Sequence, residues 1–239
     1  MKKSVLIVAA VLAANASFAQ DLTSKKGEKI LPEANDWAIG LSAHPIISSL
    51  GSIMNPGAAG TISSPFGATT IMGKKFKDDK TAYRAMVGLG FGSTSTTDAD
   101  GDETKVSTTG VTIGGGLEKR RGNTRLQGYY GGMASLSFGS KSTTITYKDA
   151  AASAGQPNSN KEGATFGLNV SGLVGAEYFV LPKISIGAEY WWGISFNSTG
   201  EGETTFQGGT PAAVKTPGAS SFNLGGSYGS GQLFVNFHF

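Results

Sequence analysis

The sequence predicts an all-β protein, and three observations carry that prediction. Several segments alternate between apolar residues and small or polar ones, which is the two-residue period of a β-strand. In the clearest segment every second residue from Ile184 to Phe196 is apolar, and a tilted strand needs roughly 9–11 residues to cross a bilayer. The connections are alternately long and short, as in outer-membrane barrels. We therefore predict an up-and-down antiparallel transmembrane β-barrel of eight strands, or ten if a long loop hides a further hairpin.

The individual strands are expected wherever this alternation is clear. They are predicted at 36–43, 67–76, 81–93, 107–119, 124–139, 164–180 and 184–196, with a last strand ending at Phe239. Long loops are expected at 44–65, 94–106, 140–163 and 197–220, and short polar turns at 77–80, 120–123 and 181–183. The alternation slips between Leu224 and Tyr228, where several glycines predict a β-bulge.

The first 19 residues are predicted to be a cleaved signal peptide. Lys2 and Lys3 precede a short apolar run at 5–14, and Ser17-Phe18-Ala19 fits a cleavage site between small residues. We expect residues 20–35 to form a periplasmic N-terminal tail and residues 36–239 to form the barrel. The sequence contains no cysteine, which excludes a disulfide framework.

The composition of the less apolar face indicates which side meets lipid. That face is mostly Gly, Ser and Thr, whereas a strand surface in water carries charged residues repeatedly. Only 15% of residues are charged, against about 25% in soluble domains, and small side chains suit the filled interior of a narrow barrel. Aromatic residues near the strand ends predict interfacial girdles. The remaining alternative is a secreted β-sandwich or a lipocalin-like soluble barrel.

A few charged residues share the face predicted to be internal. These are Arg84, Glu118, Arg125, Glu177 and Glu189, all expected in the periplasmic half. Because buried charges must be paired, we predict a structural salt-bridge network. The alternative is a gate whose rearrangement opens a small pore. A glycosidase-like pair of Glu177 and Glu189 would need a substrate cleft, which a packed interior does not offer.

Two further groups are candidate sites. Asp98, Asp100, Asp102 and Glu103 form an acidic loop that suggests weak Ca²⁺ binding, but their spacing fails the EF-hand pattern, so a solvated loop is the favoured interpretation.

His44 begins the first long loop beside the apolar stretch 45–49. We predict no enzyme activity, no cofactor and no metal site; the alternatives are an outer-membrane lipid-modifying enzyme (an acyltransferase or phospholipase) centred on His44, or a channel for small hydrophobic solutes beside this loop.

The end of the chain resembles the terminal strand of bacterial outer-membrane proteins. Leu233, Val235, Phe237 and the terminal Phe239 alternate with other residues as in the small OmpA/OmpX-like porin-family barrels. The resemblance implies that these four residues are the signal read by the barrel-assembly machinery. It also implies a monomer in the bacterial outer membrane, contacting lipids and lipopolysaccharide, with a structural or surface-interaction role and at most a narrow, mostly closed pore. We expect no periplasmic domain, and a net charge of only +3 gives no reason to expect nucleic-acid binding.

Overall fold

The chain forms one antiparallel β-sheet. The computed structural model describes residues 22–24, 27–42, 70–225 and 230–239. Within them lie twelve strands and one short 3₁₀ turn, Gln207–Gly209. The strands are β1 Trp37–Ser42, β2 Thr70–Asp78, β3 Thr81–Thr97, β4 Glu103–Arg121, β5 Leu126–Thr146, β6 Pro157–Lys161, β7 Thr165–Leu181, β8 Ile184–Thr199, β9 Gly202–Phe206, β10 Val214–Thr216, β11 Ala219–Leu224 and β12 Ser230–His238.

The described residues contain no helix that combines the length and the hydropathy needed to cross a membrane.

Eight of the strand pairings form a continuous series that joins the first strand to the last. Strands β1 to β5 pair in succession, β5 pairs with β7, β7 with β8 and β8 with β12. Strand β12 also pairs with β1, so that Ile39 lies opposite Phe237 on one side and Gly73 on the other. The pairings therefore run from β1 through β2, β3, β4, β5, β7, β8 and β12 back to β1.

The sheet has twelve strands, more than the eight or ten predicted, although eight of the described strands make up the series of pairings that runs from β1 back to β1. Each of the eight predicted segments overlaps an observed strand, but β6, β9 and β10 lie inside predicted loops and extend the sheet from β5. Their residues are mostly polar, with isolated apolar ones such as Phe206 and Val214, so no alternation of apolar residues marked them as strands. The predicted last strand is divided into β11 and β12, and most of the predicted bulge lies outside the described residues.

The two faces of the sheet have opposite chemistry and opposite burial. Along β7 and β8 the residues alternate between exposed and buried. Large apolar side chains are exposed on one face, here called the exposed face; they include Ile71, Val87, Leu89, Ile113, Leu117, Tyr130, Val170, Val174, Ile186, Tyr190, Trp192 and Phe237. Polar side chains are covered on the other, here called the buried face; they include Lys74, Arg84, Glu118, Arg120, Gln127, Asn169, Glu177, Ser185, Glu189, Ser195, Gln232 and Asn236. This arrangement inverts the usual distribution of a protein in water.

Glycines on the buried face make room for large rings. Tyr129, Phe234 and Trp191 belong to an apolar group that also contains Met72, Met86, Met133 and Leu173. A Cβ atom at Gly175 would lie 2.5 Å from the Tyr129 ring, and one at Gly187 would collide with the Phe234 ring. The excess of glycine in the sequence therefore has a steric reason at these two positions, because rings of opposing strands occupy the space above them.

The segment before β1 is packed against the short-turn end of the sheet. Thr23 and Lys29 form an isolated antiparallel bridge, and Ile30 is completely buried. The Asn35 amide donates to the Phe76 carbonyl at 2.8 Å, and Asp36 pairs with Lys183 at 3.0 Å. The predicted tail at 20–35 thus includes an ordered turn, which its charged composition did not indicate.

Candidate functional site

Ionisable side chains from six strands meet on the buried face near the short turns. We call this group the buried charge cluster: Lys74 of β2, Arg84 of β3, Glu118 and Arg120 of β4, Glu177 of β7, Glu189 of β8 and His238 of β12. Each of these positions continues the two-residue period of its strand, so all seven side chains project from the same side of the sheet. They are almost completely shielded from solvent.

Arg84 is the most extensively bonded cation of the cluster. Its two terminal nitrogens donate to Glu189 at 2.9 and 3.1 Å, and Nη1 also donates to Glu118 at 3.2 Å. The guanidinium lies 5.3 Å from the centre of the Trp191 ring, within cation–π range. The Tyr129 hydroxyl donates to the same Glu189 carboxylate at 3.0 Å. Two-pronged pairing of this kind fixes direction as well as distance, so β3 and β8 are held in one relative position.

Lys74 and Arg120 neutralise the other two carboxylates. Lys74 Nζ lies 3.0 Å from Glu118 and 3.6 Å from Glu177. Arg120 lies 2.8 Å from a carboxylate oxygen of each of these glutamates, and its Nε donates to Gln127 at 2.8 Å. Together with the pair of Arg84 and Glu189, three cations of the cluster face three carboxylates, so these six charges balance. Burial without such matching would cost several kcal/mol per ion.

The surroundings of Glu177 contain a serine and a histidine but do not form a catalytic triad. Ser185 Oγ and the Asn236 amide both donate to Glu177 Oε1, the latter at 2.6 Å. His238 Nε2 lies 3.1 Å from Ser185 Oγ and 3.3 Å from Glu177 Oε1. In a triad the serine and the carboxylate contact opposite ring nitrogens of the histidine, whereas here both lie at Nε2. The group is also buried, and the Phe76 and Phe179 rings flank His238.

The space beside the cluster is too small for a substrate. Gly40, Met72, Arg84 and Gln232 line a cavity with room for about one water molecule. Gln232 Oε1 is buried and accepts no hydrogen bond from the described residues. A single water is therefore the occupant that suits this cavity, since it would satisfy the amide oxygen. The arrangement therefore supports a structural role, in which ion pairs hold neighbouring and opposite strands together.

The structure brings together four of the five charged residues singled out in the sequence: Arg84, Glu118, Glu177 and Glu189. The fifth, Arg125, was predicted within a strand, but β5 begins at Leu126 and Arg125 lies half-buried in the turn before it. Sequence reasoning did not place Lys74, Arg120 or His238 in this group. For Arg120 a signal was available, because it lies two residues from Glu118 on the same face of β4. Arg120 had instead been assigned to a turn.

The acidic loop is stabilised by its own backbone. Asp98 accepts hydrogen bonds from the amides of Asp100 and Asp102 at 3.0 Å each, and Asp102 accepts one from the Lys148 amide. Glu103 accepts a hydrogen bond from Ser95. Among residues 22–24, 27–42, 70–225 and 230–239, no three His, Asp or Glu side chains are grouped so as to hold a metal ion. The geometry thus gives the suggested Ca²⁺ loop no support.

The remaining predicted residues are His44 in the loop 44–65 and four residues at the end of the chain. His44 and the whole of the loop 44–65 fall outside the described residues, so the enzyme and channel alternatives stay predictions. Leu233, Val235, Phe237 and Phe239 all lie on the exposed face, with Phe237 and Phe239 the most exposed. Their neighbours Phe234, Asn236 and His238 are buried.

Comparison with known protein families finds no family model that matches this chain, and comparison with curated proteins finds no match.

Proposed function

We propose that this chain is an integral β-barrel of a bacterial outer membrane, exported through a cleaved signal peptide, with a structural or surface-interaction role. The observation that carries the proposal is the inverted sheet: large apolar side chains are exposed, and charged ones are buried and paired. Soluble monomers rarely expose contiguous apolar patches larger than a few hundred Å², and larger patches favour aggregation in water. In lipid it is the favourable arrangement.

The pairing of β1 with β12 supports closure of the sheet into a barrel. A membrane-spanning sheet must have no open edge, because lipid cannot satisfy free backbone groups. Exposed apolar residues on β8 extend from Ile186 to Phe196, which agrees with the roughly 9–11 residues of a spanning strand. By this proposal the short turns face the periplasm and the longer connections face outward.

The buried charge cluster supports a closed interior. An eight-stranded barrel is just wide enough for its side chains to fill it, and Arg84, Arg120 and their carboxylate partners occupy that space. We therefore infer that the protein does not act as an open pore. The surface role is assigned to the polar end of the sheet, where β6, β9 and β10 extend β5 with exposed Ser, Thr and Lys residues.

The proposal is tested by fractionating cells and running the protein on gels with and without heating. A folded outer-membrane barrel is expected in the outer-membrane fraction and to migrate differently before and after boiling. Recovery of the processed chain as a detergent-free monomer would overturn membrane, topology and role together.

Closure is tested separately by planar-bilayer recording of the purified protein. The wild type is expected to stay near background conductance. A wild-type conductance well above background that changes in Arg84→Ala would show that the cluster is a gate rather than a plug.

A further inference from the structure

The two short turns that follow β2 and β4 carry a strong excess of positive charge. Basic side chains outside the buried charge cluster are exposed or half-exposed there, and only Asp78 and Asp79 oppose them within the turns. These basic residues are Lys75, Lys77, Lys80, Lys119, Arg121 and Arg125. They are not needed to neutralise the buried face, because Lys74, Arg84 and Arg120 already do so. Their concentration makes this part of the short-turn end of the sheet basic.

Lys75 lies between two aromatic residues on the exposed face. It is the direct cross-strand partner of Trp37 on β1 and of Tyr83 on β3. Its ammonium lies 4.7 Å from the centre of the Trp37 ring, and both aromatic side chains are half exposed. Trp and Tyr are the residues that sit at the headgroup level of a bilayer. The row Trp37–Lys75–Tyr83 therefore holds a positive charge at that level.

Lys119 adds a second cation two strands further along, on β4. It lies on the exposed face of β4, two residues beyond the exposed Leu117. Its ammonium donates to Thr81 Oγ1 at 3.0 Å, which orients the side chain along the edge of the sheet formed by the short turns, here called the short-turn rim. Two of its three N–H donors remain for other acceptors. Arg121, also exposed, follows on the same face of β4.

The opposite side of the same rim lacks this charge. The turn between β7 and β8 contains one cation, Lys183, and Asp36 neutralises it at 3.0 Å. The neighbouring exposed residues are apolar, including Leu181, Ile186, Phe237 and Phe239. The short-turn rim is thus divided into a basic, aromatic half at β1–β4 and an apolar half at β7, β8 and β12.

We propose that the basic half of this rim binds the phosphate headgroup of an anionic phospholipid, with Lys75 and Lys119 as the principal cations and Trp37 and Tyr83 flanking the glycerol region. The inference rests on the proposed membrane location and deepens it by naming the lipid class and its place on the barrel. Charge complementarity selects an anionic headgroup over a zwitterionic one, because each Lys or Arg near a charged surface strengthens binding measurably. The occupant is a lipid of the leaflet on the short-turn side.

The experiment is native mass spectrometry of the full-length processed protein, released from detergent micelles containing equal amounts of phosphatidylglycerol and phosphatidylcholine. We expect the wild type to retain phosphatidylglycerol preferentially. In the double variant Lys75→Gln/Lys119→Gln, the ratio of retained phosphatidylglycerol to phosphatidylcholine should fall about fivefold for each charge removed. The matched control, Lys105→Gln/Lys161→Gln, removes two exposed lysines from β4 and β6 near the opposite end and should leave the preference unchanged.

The outcomes separate the two proposals. Equal retention of both lipids by the wild type, or an unchanged preference in the Lys75→Gln/Lys119→Gln variant, overturns the headgroup site while the heat-modifiable barrel stands. A heat-shift gel on each variant shows that it is folded. A processed chain that retains no lipid and stays monomeric without detergent overturns the membrane location, and the headgroup site falls with it.

Discussion

Trp191 and Trp192 are neighbours in the sequence and lie in opposite environments. Trp191 is completely buried, with the Arg84 guanidinium 5.3 Å from its ring. Trp192 is 55% exposed on the face that also presents Tyr190 and Val174. The same residue type thus packs against a charge on one face and is left uncovered on the other. The comparison teaches that the face of the strand, and not the hydropathy of the residue, decides what each side chain meets.

The two faces also differ in how strongly one residue depends on its neighbours. On the buried face every charge has partners on other strands, so one deletion leaves others uncompensated. On the exposed face the apolar residues act mainly by total area, and single conservative changes there matter little. The predictions below test that difference.

The largest effect is expected on removing a carboxylate from the buried charge cluster. Glu118→Ala leaves Lys74, Arg84 and Arg120 short of one negative charge, and such losses cost about 3–5 kcal/mol. The free energy of unfolding, measured by urea titration in lipid vesicles, should fall by that amount. Glu162→Ala is the control, because its ion pair with Lys141 is about half exposed and should contribute about 0–1 kcal/mol. Equal losses in both variants would mean that the cluster is not sealed from solvent.

The next effect is expected from placing a charge on the exposed face. Val174→Arg should weaken folding into vesicles by about 2–4 kcal/mol if this residue lies near the middle of the bilayer. Thr96→Arg alters an exposed position on the polar extension of β3, opposite Thr104, and should change the free energy by no more than about 0.5 kcal/mol. Were Val174→Arg as mild as its control, water rather than lipid would be the solvent of this face.

A smaller effect is expected at a glycine of the buried face. Gly175→Ala places a Cβ atom 2.5 Å from the Tyr129 ring and 2.7 Å from the Ala188 carbonyl oxygen, and overpacking of this kind costs about 1–3 kcal/mol. Gly128→Ala is the matched change on the exposed face, where the nearest atom would be 4.0 Å away. Urea titration should separate the two variants, and an unaffected Gly175→Ala protein would argue against tight packing around Tyr129.

The smallest effect is expected at Asp36, outside the strands. Burial works against its ionisation, but hydrogen bonds from the Glu33 amide and Lys183, together with the Lys183 charge, hold the pKa of Asp36 below its ordinary value of 3.8. A carboxyl group whose pKa is lowered in the folded state stabilises the protein at pH values above its ordinary pKa. That contribution is lost as the pH falls through the folded-state pKa. Near neutral pH, the free energy of unfolding of the wild type should be higher than that of Asp36→Asn by up to about 1 kcal/mol.

That stability difference should shrink in acid below pH 3.8. Urea titrations of both proteins over a pH series measure it, with Asp79→Asn as the control for an exposed carboxylate in the β2–β3 turn. A difference that is constant with pH would show that the ion pair with Lys183 does not stabilise the fold.

The strands were predictable where one face is apolar and the other is not. The alternation between Ile184 and Phe196 identified β8 and its two faces, and the same contrast identified Glu118, Glu177 and Glu189 as neighbours on one face. The contrast disappears in β6, β9 and β10, whose Ser, Thr, Asn and Gly residues look alike on both sides. These strands are held by backbone pairing of β6 with β5, β9 with β6 and β10 with β9. Backbone pairing does not require apolar residues to alternate along the sequence.

The composition of the buried charge cluster was only partly predictable. Arg120 lies two residues before the pair Gly122-Asn123, which indicates a turn, and that signal concealed the continuation of β4 as far as Arg121. Lys74 is followed by Lys75, and only the pairing partners of β2 decide which of the two is buried. Register sets such choices, because a shift of one residue exchanges the two faces.

The most direct test of the membrane account uses the two adjacent tryptophans. Single-tryptophan proteins that retain only Trp191 or only Trp192 are reconstituted in vesicles whose acyl chains carry bromine, a quencher of tryptophan fluorescence. The account predicts strong quenching of Trp192 and weak quenching of Trp191. Similar weak quenching of both, with Trp192 quenched instead by a water-soluble agent, would contradict the claim that lipid covers the exposed face.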